Sequence, residues 1–429
     1  MLRILLCRAA FVCCVLLPTA VVAAWAVQRS QPAYRNAKQE EWLRFFAQRF
    51  GVKATVDRIT YPSFWVARID NLQLIEPETG AVLLQCRTLE AARTKQGWVV
   101  EASQPEVRAD QLATFAELLQ SRVLKHAPED TVPCEIEIGE LTLRAGERSS
   151  TVTHVRITSS SAESASELEL LFRVAGVAAP QPCRLAVKRS RGESGTTTSW
   201  EFSTPDEVAM HCAAIADWLP GLKTLGPDVQ FVGRAAGETS ASGNRCEING
   251  RFTAIDLNTL VSNHSAHKLT GKAEVLVAPL KFERGRIAEL RGTIVSEGGY
   301  LSRSLAAAAR EHLKLGVDSA DPPVQDGVIP FRRLACGFRL DEKGLVLQGS
   351  ADPTRDGVVF AASAGPLLLD PTAQPIPLTS VLRALVPQTE LQVPAARETQ
   401  PLLDILPASS IQAPPKQPRG RVNLRGLPS

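Results

Sequence analysis

The chain has 429 residues, of which 44% are hydrophobic and 22% charged, so its composition is that of a globular protein with room for roughly two or three domains. Its formal net charge of +3 is too small to indicate nucleic-acid binding, and an aromatic content of 5% offers few side chains for stacking on bases. Composition therefore predicts a globular protein with no nucleic-acid partner.

Residues 1–30 carry the clearest signal for location. Two arginines precede an apolar run over residues 9–27. A signal peptide has an apolar core of about 7–15 residues and a spanning helix needs about 17–25, so the length favours an uncleaved, single-span membrane anchor. Ala24-Trp25-Ala26 fits a cleavage site and leaves secretion after signal cleavage as the alternative. In both cases the body of the chain is expected outside the cytoplasm.

The chain has nine cysteines, and three of them fall in residues 1–30. No C-x-x-C pair occurs, although metal and redox motifs are built from close pairs. We therefore expect no metal and no cofactor, and buried free thiols are favoured over disulfides. The cysteines of the body are spread singly: Cys86, Cys134, Cys183, Cys212, Cys246 and Cys336.

Short segments with alternating apolar and polar residues recur from residue 54 onward, and this period of two is typical of strands. Helices are predicted for residues 36–50, for "ADQLATFAELLQSRVL", for "DEVAMHCAAIADWL" and for the alanine-rich stretch 306–312. The fold class is therefore mainly β with a few helices (α+β). We expect β-rich regions at 31–265 and 266–390, with a capping helix in the second, and a disordered Pro-rich tail at 391–429.

The stretch "RGTIVSEGGYLSRSLAAAAR" raises the question of an active site. Gly298 and Gly299 lack the spacing of a phosphate-binding loop and are interpreted as a structural turn, because adjacent glycines supply the positive φ that turns need. Ser302 or Ser304 is expected to cap or open the helix that follows.

Two chemical alternatives involve the segment "NHSAHK". Ser265 and Lys268 fit S-x-x-K, but the chain has no K-T-G and no G-x-S-x-G elbow, so a serine hydrolase using Ser265 or Ser302 stays a secondary hypothesis. His264 and His267 could share a helix face, but no acidic ligand accompanies them, and a metal site is disfavoured.

Two longer stretches resemble a known family. "WLRFFAQRFGVKATVDRITYPSFWVARIDNLQLIEPETGAVLLQCRTLEA" and "LTGKAEVLVAPLKFERGRIAELRGTIVSEGGYLSRSLAAAA" are similar to the early and late parts of AsmA-like envelope proteins, the AsmA, TamB and YhdP group. The resemblance implies an N-terminal transmembrane helix followed by a curled antiparallel, groove-like sheet of the β-taco type. It also implies location at the bacterial inner membrane with the bulk of the chain periplasmic, and a role in phospholipid handling or outer-membrane biogenesis.

Alternation in the second stretch predicts an apolar groove for acyl chains. The chain is short for this family, because each added strand widens a sheet by only about 4.8 Å, so an accessory or assembly role is favoured over transfer between membranes. We expect a non-enzymatic protein that handles lipid, with an envelope scaffold that binds other envelope proteins as a further alternative. The candidate groove residues are Val275, Val277, Ile287, Leu290 and Ile294.

Overall fold

The computed structural model describes residues 31–95, 97–112, 133–145, 148–162, 165–192, 195–212, 225–262, 267–317, 327–371 and 374–385, with scattered positions in 11–27 and at 114, 117, 222 and 265. The fold is mainly β, with 57% strand and 19% helix. The chain divides into two compact units. Unit 1 comprises Met1–Gly243 and Gly250–Ile255, and unit 2 comprises Asn244–Asn249 and Asp256–Ser429. The division thus falls near residues 243–256, whereas the predicted boundary lies between residues 265 and 266.

Both ends of the chain lie largely outside the described residues. Within 11–27 a π-helical turn covers Val12–Leu16. Among the residues that the structure describes, no helix is both long enough and apolar enough to cross a membrane. The N-terminal anchor and the tail at 391–429 stay predictions. Most of the predicted helix "ADQLATFAELLQSRVL" also lies outside the described residues, after a 3-10 turn at Ala109–Gln111.

Unit 1 begins with helix α1 (Pro32–Phe50), which has proline in its first turn and ends where Gly51 adopts a left-handed φ of 66°. The Trp42 indole nitrogen donates a 3.0 Å hydrogen bond to the Tyr61 hydroxyl. Phe46 packs with buried residues of the first strands, among them Ile69. The helix therefore covers the start of the sheet with its aromatic side chains.

Thirteen strands follow in unit 1, and a further strand, β14 (Gly243–Asp256), contributes residues to both units. The strands of unit 1 are β1 (Lys53–Thr55), β2 (Arg58–Thr60), β3 (Val66–Ile75), β4 (Val82–Arg93), β5 (Trp98–Ser103), β6 (Glu106–Arg108), β7 (Cys134–Ala145), β8 (Arg148–Ala162), β9 (Ala165–Val174), β10 (Cys183–Gly192), β11 (Gly195–Ser203), β12 (Met210–His211) and β13 (Gln230–Ser240).

Most neighbours in this sheet pair antiparallel as successive hairpins, from β3–β4 through β7–β8–β9–β10–β11 to β13. The exceptions are β5 and β6, which follow one another along β7 and run parallel to it. At the ends, β1 and β2 both pair with β3, and β12 pairs with β13. Residues that are opposite each other in such a hairpin point to the same face of the sheet. The alternating apolar residues of successive strands therefore lie side by side on one face.

The helix predicted over "DEVAMHCAAIADWL" is wrong for its first half. Met210 and His211 form β12, opposite Phe231 and Gln230 of β13. The backbone of Cys212 continues this pairing by donating to the carbonyl of Val229 over 2.8 Å. Ladder hydrogen bonds and the burial of Val208 in the core outweigh the local helical pattern here. Residues 213–221 lie outside the described part of the chain.

Unit 2 contains a sheet in which β19 pairs with both β16 and β20 and, at its first residues, with β21. The strands of unit 2 are β15 (Lys272–Glu283), β16 (Arg286–Ser296), β17 (Gly299–Ser302), β18 (Val328–Phe331), β19 (Arg333–Asp341), β20 (Gly344–Gly349), β21 (Val358–Ala362) and β22 (Gly365–Leu369). Of these, β17 and β18 pair with each other as a separate two-stranded sheet. Its helices are α2 (Leu257–Ser262), α3 (Arg303–Leu313) and α4 (Leu378–Leu385). A small core includes Ala335, Ala351, Val358 and Ala361.

Candidate functional site

An extended apolar feature among the described residues of unit 1 is a row of side chains that crosses nine strands. Each member lies directly opposite the next in the strand pairing, so all share one face of the sheet. Eight strand spacings of about 4.8 Å make this row about 38 Å long. We call it the central row: Ala67, Ala91, Val100, Ile136, Ile157, Leu170, Leu185, Phe202 and Ala235.

A second row on the same face lies two residues further along each strand. Its apolar part is Leu168, Val187 and Trp200, which are paired in sequence across β9, β10 and β11. Trp200 lies opposite Gly237 of β13, and a Cβ at Gly237 would come within 2.5 Å of the indole nitrogen. The glycine therefore lets the indole lie flat across the neighbouring strand, the arrangement in which an aromatic side chain covers a sheet glycine.

One end of this apolar face is closed by a buried core. Val155, Phe172 and Cys183 have 2%, 8% and 1% of their surfaces exposed, and Val208 from the segment before β12 packs with them. Ile157, Leu170 and Phe202 pack against this core from one side and are only half-buried, as are Leu185 and the second-row neighbours. Large aliphatic side chains on a sheet face that is half-covered form a surface suited to another apolar molecule.

The opposite face of the same strands is polar. Arg184 pairs with Glu169 over 2.7 Å and Arg234 with Glu201 over 3.0 Å. A further ion pair joins Arg156 and Glu135 across β7 and β8. Such exposed pairs contribute little stability, about 0–1 kcal/mol each, but they fix which side of the sheet is suited to water. Unit 1 is therefore a sheet with one polar and one apolar face.

The groove residues predicted from the sequence all lie on β15 and β16 of unit 2. Val275 is directly opposite Ile294, and Val277 is opposite Gly292. Leu290 lies opposite Leu280, and a register shift between the pairs of Lys281 and Phe282 brings Ile287 opposite Phe282. Val277 is buried at 4% exposure, whereas the other four predicted residues are half-buried.

The face that holds Ile294 and Leu290 continues over two further strands. Ile294 is opposite Cys336, and Leu290 is opposite Leu340, which in turn is opposite Leu345 of β20. Between them Phe338 lies over Gly292, where a Cβ would approach its ring to 2.8 Å and the Leu276 carbonyl oxygen to 2.2 Å. Unit 2 thus has its own apolar face, with an aromatic residue over a glycine as in unit 1.

Gly298 lies between β16 and β17, and Gly299 is the first residue of β17. Gly298 has a φ of 91°, which L side chains rarely adopt. A Cβ at Gly299 would come within 1.9 Å of the Thr270 carbonyl oxygen. Gly298 is therefore required by its backbone conformation and Gly299 by the close approach of a neighbouring segment. Both glycines serve the bend of the chain between β16 and β17.

The serines considered for catalysis are held by backbone groups. Ser302 is the N-cap of α3, where its hydroxyl oxygen accepts from the backbone nitrogens of Leu305 over 3.2 Å and Lys268 over 3.1 Å. An N-cap contact of this kind is worth about 1 kcal/mol. Ser265 donates to the Val261 carbonyl over 3.0 Å and accepts from the backbone nitrogen of His267. Ser302 also lies 3.1 Å from the Ser304 hydroxyl oxygen. Among the described residues, no histidine side chain bonds directly to Ser302 or Ser265.

His267 instead contacts Ser304, with 2.8 Å between Nδ1 and Oγ. The histidine is 2% exposed, and burial lowers the pKa of its imidazole, an effect that the backbone of Ala384 opposes in part. Its Nε2 makes no hydrogen bond of normal geometry to any residue that the structure describes. This buried, neutral imidazole links the start of α3 to the segment before β15, and no carboxylate of the described residues orients it. His264, its partner in the metal hypothesis, lies outside the described residues.

The body cysteines are free thiols. Burial raises the pKa of Cys183 to about 11 and that of Cys212 and of Cys336 to about 12, so these thiols stay protonated and unreactive near neutral pH. Within the described residues no group of three or more His, Cys, Asp or Glu side chains is arranged to hold a metal ion.

The unit 1 face was not among the sites predicted from the sequence. Its signal is present in "ELELLFRV", "CRLAVKRS" and "TSWEF", where apolar residues recur at every second position over most of each segment. Alternation within one strand does not show which residues meet across strands, and only the pairing register reveals that Leu170, Leu185 and Phe202 form one row.

Comparison of the chain with protein-family models, with curated proteins and with solved structures finds no match.

Proposed function

We propose that the protein is a non-enzymatic, membrane-anchored envelope protein of AsmA-like type whose apolar sheet faces hold the acyl chains of lipids. In this proposal the N-terminal segment anchors the chain in the inner membrane, the body lies in the periplasm, and each sheet curls about its apolar face as a groove. The role is accessory, in lipid handling or envelope assembly.

The observation that carries the proposal is the central row of unit 1. It is apolar at nine successive strand positions, half-buried at Ile157, Leu170, Leu185 and Phe202, and backed by a polar face on the other side of the sheet. One leaflet's share of a bilayer's apolar core is about 15 Å, so a row of about 38 Å is long enough for an extended acyl chain. Removing apolar surface of both partners from water favours such binding by about 25 cal/mol per Å².

Two alternatives predict different results. A serine hydrolase would react at Ser265 or Ser302 with a fluorophosphonate, and the hydrogen bonds of both hydroxyls to backbone groups argue against such reactivity. A scaffold would bind other envelope proteins through its sheet edges and would not need half-buried aliphatic rows. Crosslinking that recovers proteins but no lipid would favour the scaffold.

The proposal is tested by placing a charge on one face or the other of the same strand. Val187 belongs to the apolar face, and Ala186, its neighbour, points to the polar face, where it lies opposite Glu169 and Glu201. Both are half-buried. The full chain is purified in mild detergent as wild type, Val187→Lys and Ala186→Lys, and the lipid bound per protein is measured by mass spectrometry.

We expect Val187→Lys to carry several-fold less lipid than Ala186→Lys, because its ammonium would have to be desolvated beneath an acyl chain. The variants share the N-terminal segment, so lipid held there cancels in the comparison. Val187→Thr, which is close in shape, serves as a milder variant if the lysine disturbs folding. Equal lipid in all folded variants and the wild type would contradict the proposal.

A further inference from the structure

The apolar face of unit 1 ends in a polar row, next to the second row and away from the buried core. Arg189 of β10 lies opposite Ser166 of β9 on one side and Thr198 of β11 on the other, and Thr198 lies opposite Thr239. Arg189 follows Leu185 and Val187 at every second position of β10, so it belongs to the apolar face. The adjacent Lys188 is exposed on the opposite face.

Arg189 is half-buried and lacks the partners that an arginine in such a place normally has. Its Nε is buried and makes no hydrogen bond, and no carboxylate of the described residues forms an ion pair with it. Ser166 and Thr198 beside it are 9% and 8% exposed. By contrast Arg184, on the polar face of the same strand, is paired with Glu169 over 2.7 Å. A buried guanidinium donor without an acceptor costs free energy that a bound acceptor would recover.

The position of Arg189 makes the two ends of the apolar face chemically different. Along β10 the buried Cys183 comes first, the half-buried Leu185 and Val187 follow, and the cation comes last. A molecule that matches this sequence has an apolar tail toward Leu185 and an anionic group at the Arg189 end. Guanidinium forms paired hydrogen bonds with phosphate and carboxylate oxygens, which suits it to an anionic head group better than to a neutral one.

We propose that Arg189, with the hydroxyls of Ser166 and Thr198, is a head-group site for an anionic phospholipid whose acyl chain passes Val187 and joins the central row at Leu185. This inference rests on the proposed function, since it names the class of lipid that the same face takes. The site would make the protein bind anionic lipids in preference to lipids of neutral head group. The apolar rows by themselves would bind both kinds of lipid equally.

The test uses two photoactivatable lipids with the same diazirine-bearing acyl chain, a phosphatidylglycerol and a phosphatidylcholine. The full chain is irradiated with each lipid in detergent micelles, as wild type, Arg189→Gln and Arg184→Gln. Adducts on peptides from β9, β10 and β11 are quantified by mass spectrometry. Arg184→Gln is the matched control because it removes a cation from the polar face of the same strand, and thermal unfolding checks that each variant is folded.

We expect wild type and Arg184→Gln to give several-fold more adduct with phosphatidylglycerol than with phosphatidylcholine, and Arg189→Gln to give equal adduct with both. Excess inorganic phosphate that abolishes the preference without reducing total adduct would support a site for the phosphate group itself. If Arg189→Gln keeps the wild-type preference, the head-group site is wrong while the acyl site stands. If neither lipid labels these strands in the wild type, the proposed function fails, and the head-group site with it.

Discussion

His267 is a buried histidine of unit 2 whose protonation is coupled to folding. Its imidazole is 2% exposed and contacts Ser304 at the start of α3. Burial lowers its pKa from the ordinary 6.5, so the folded protein favours the neutral form more strongly than the unfolded chain does. Around the unfolded pKa the unfolded state therefore binds more protons, and stability must fall as the pH falls through that value.

The loss of stability at lower pH can be tested by thermal unfolding. Between about pH 7.5 and about pH 5.5 we expect the wild-type Tm of unit 2 to fall more than that of His267→Gln, because glutamine can bond to Ser304 but does not titrate in this range. Parallel pH profiles for the wild type and His267→Gln would contradict the assignment of a buried neutral imidazole.

For single residues, the sequence predicted roles that depend on neighbours along the chain, but not contacts with residues far away in the sequence. The serines before the alanine run predicted the start of a helix, and Ser302 is its N-cap. The contact between Ser304 and His267 joins residues 37 positions apart, and no local pattern indicates it. The steric need for Gly299 depends on the Thr270 carbonyl, which also comes from a separate segment.

At the element scale, the aromatic and glycine pair on β11 and β13 can be tested by itself. A Cβ at Gly237 would lie 2.5 Å from the Trp200 indole nitrogen, so Gly237→Ala must push the ring off the neighbouring strand. Gly192→Ala is the control, because a Cβ there meets nothing closer than the Gly195 carbonyl at 4.0 Å.

With 5-fluorotryptophan incorporated, the resonance of Trp200 is assigned by its loss in Trp200→Phe. We expect this resonance to shift in Gly237→Ala and to stay in place in Gly192→Ala. Since the displaced ring would occupy the apolar face, lipid bound to the chain should also decrease. An unmoved resonance in Gly237→Ala would show that the ring does not lie over the glycine.

The sequence predicted which segments form strands better than it predicted which strands pair with each other. Period-two alternation predicted strands in "ELELLFRV" and "CRLAVKRS", and both are strands in the structure. The helix predicted over "DEVAMHCAAIADWL" was wrong at Met210 and His211 because pairing with β13 outweighs local propensity. Register shifts, such as the one that brings Ile287 opposite Phe282, depend on the partner strand and are not visible in one segment.

At the scale of the molecule, the two units share a design. Each has a sheet with an apolar face that includes an aromatic side chain over a glycine of the next strand, Trp200 over Gly237 and Phe338 over Gly292. The sequence predicted a mainly β protein and an apolar groove in unit 2, on Val275 and its neighbours. It did not predict the face of unit 1, because nine separate strands contribute to it and their order follows from the pairing.

The apolar face of unit 1 is proposed to contact acyl chains in the cell. Leu170 and Glu169 are neighbours on β9 that point to opposite faces, and Glu169 carries the ion pair with Arg184. The most direct measurement places the photocrosslinking amino acid p-benzoylphenylalanine at one or the other position of the full chain, irradiates living cells, and identifies adducts by mass spectrometry. We expect lipid adducts at position 170 and none at position 169. Equal labelling at both positions, or protein adducts without lipid at position 170, would show that acyl chains do not contact this face.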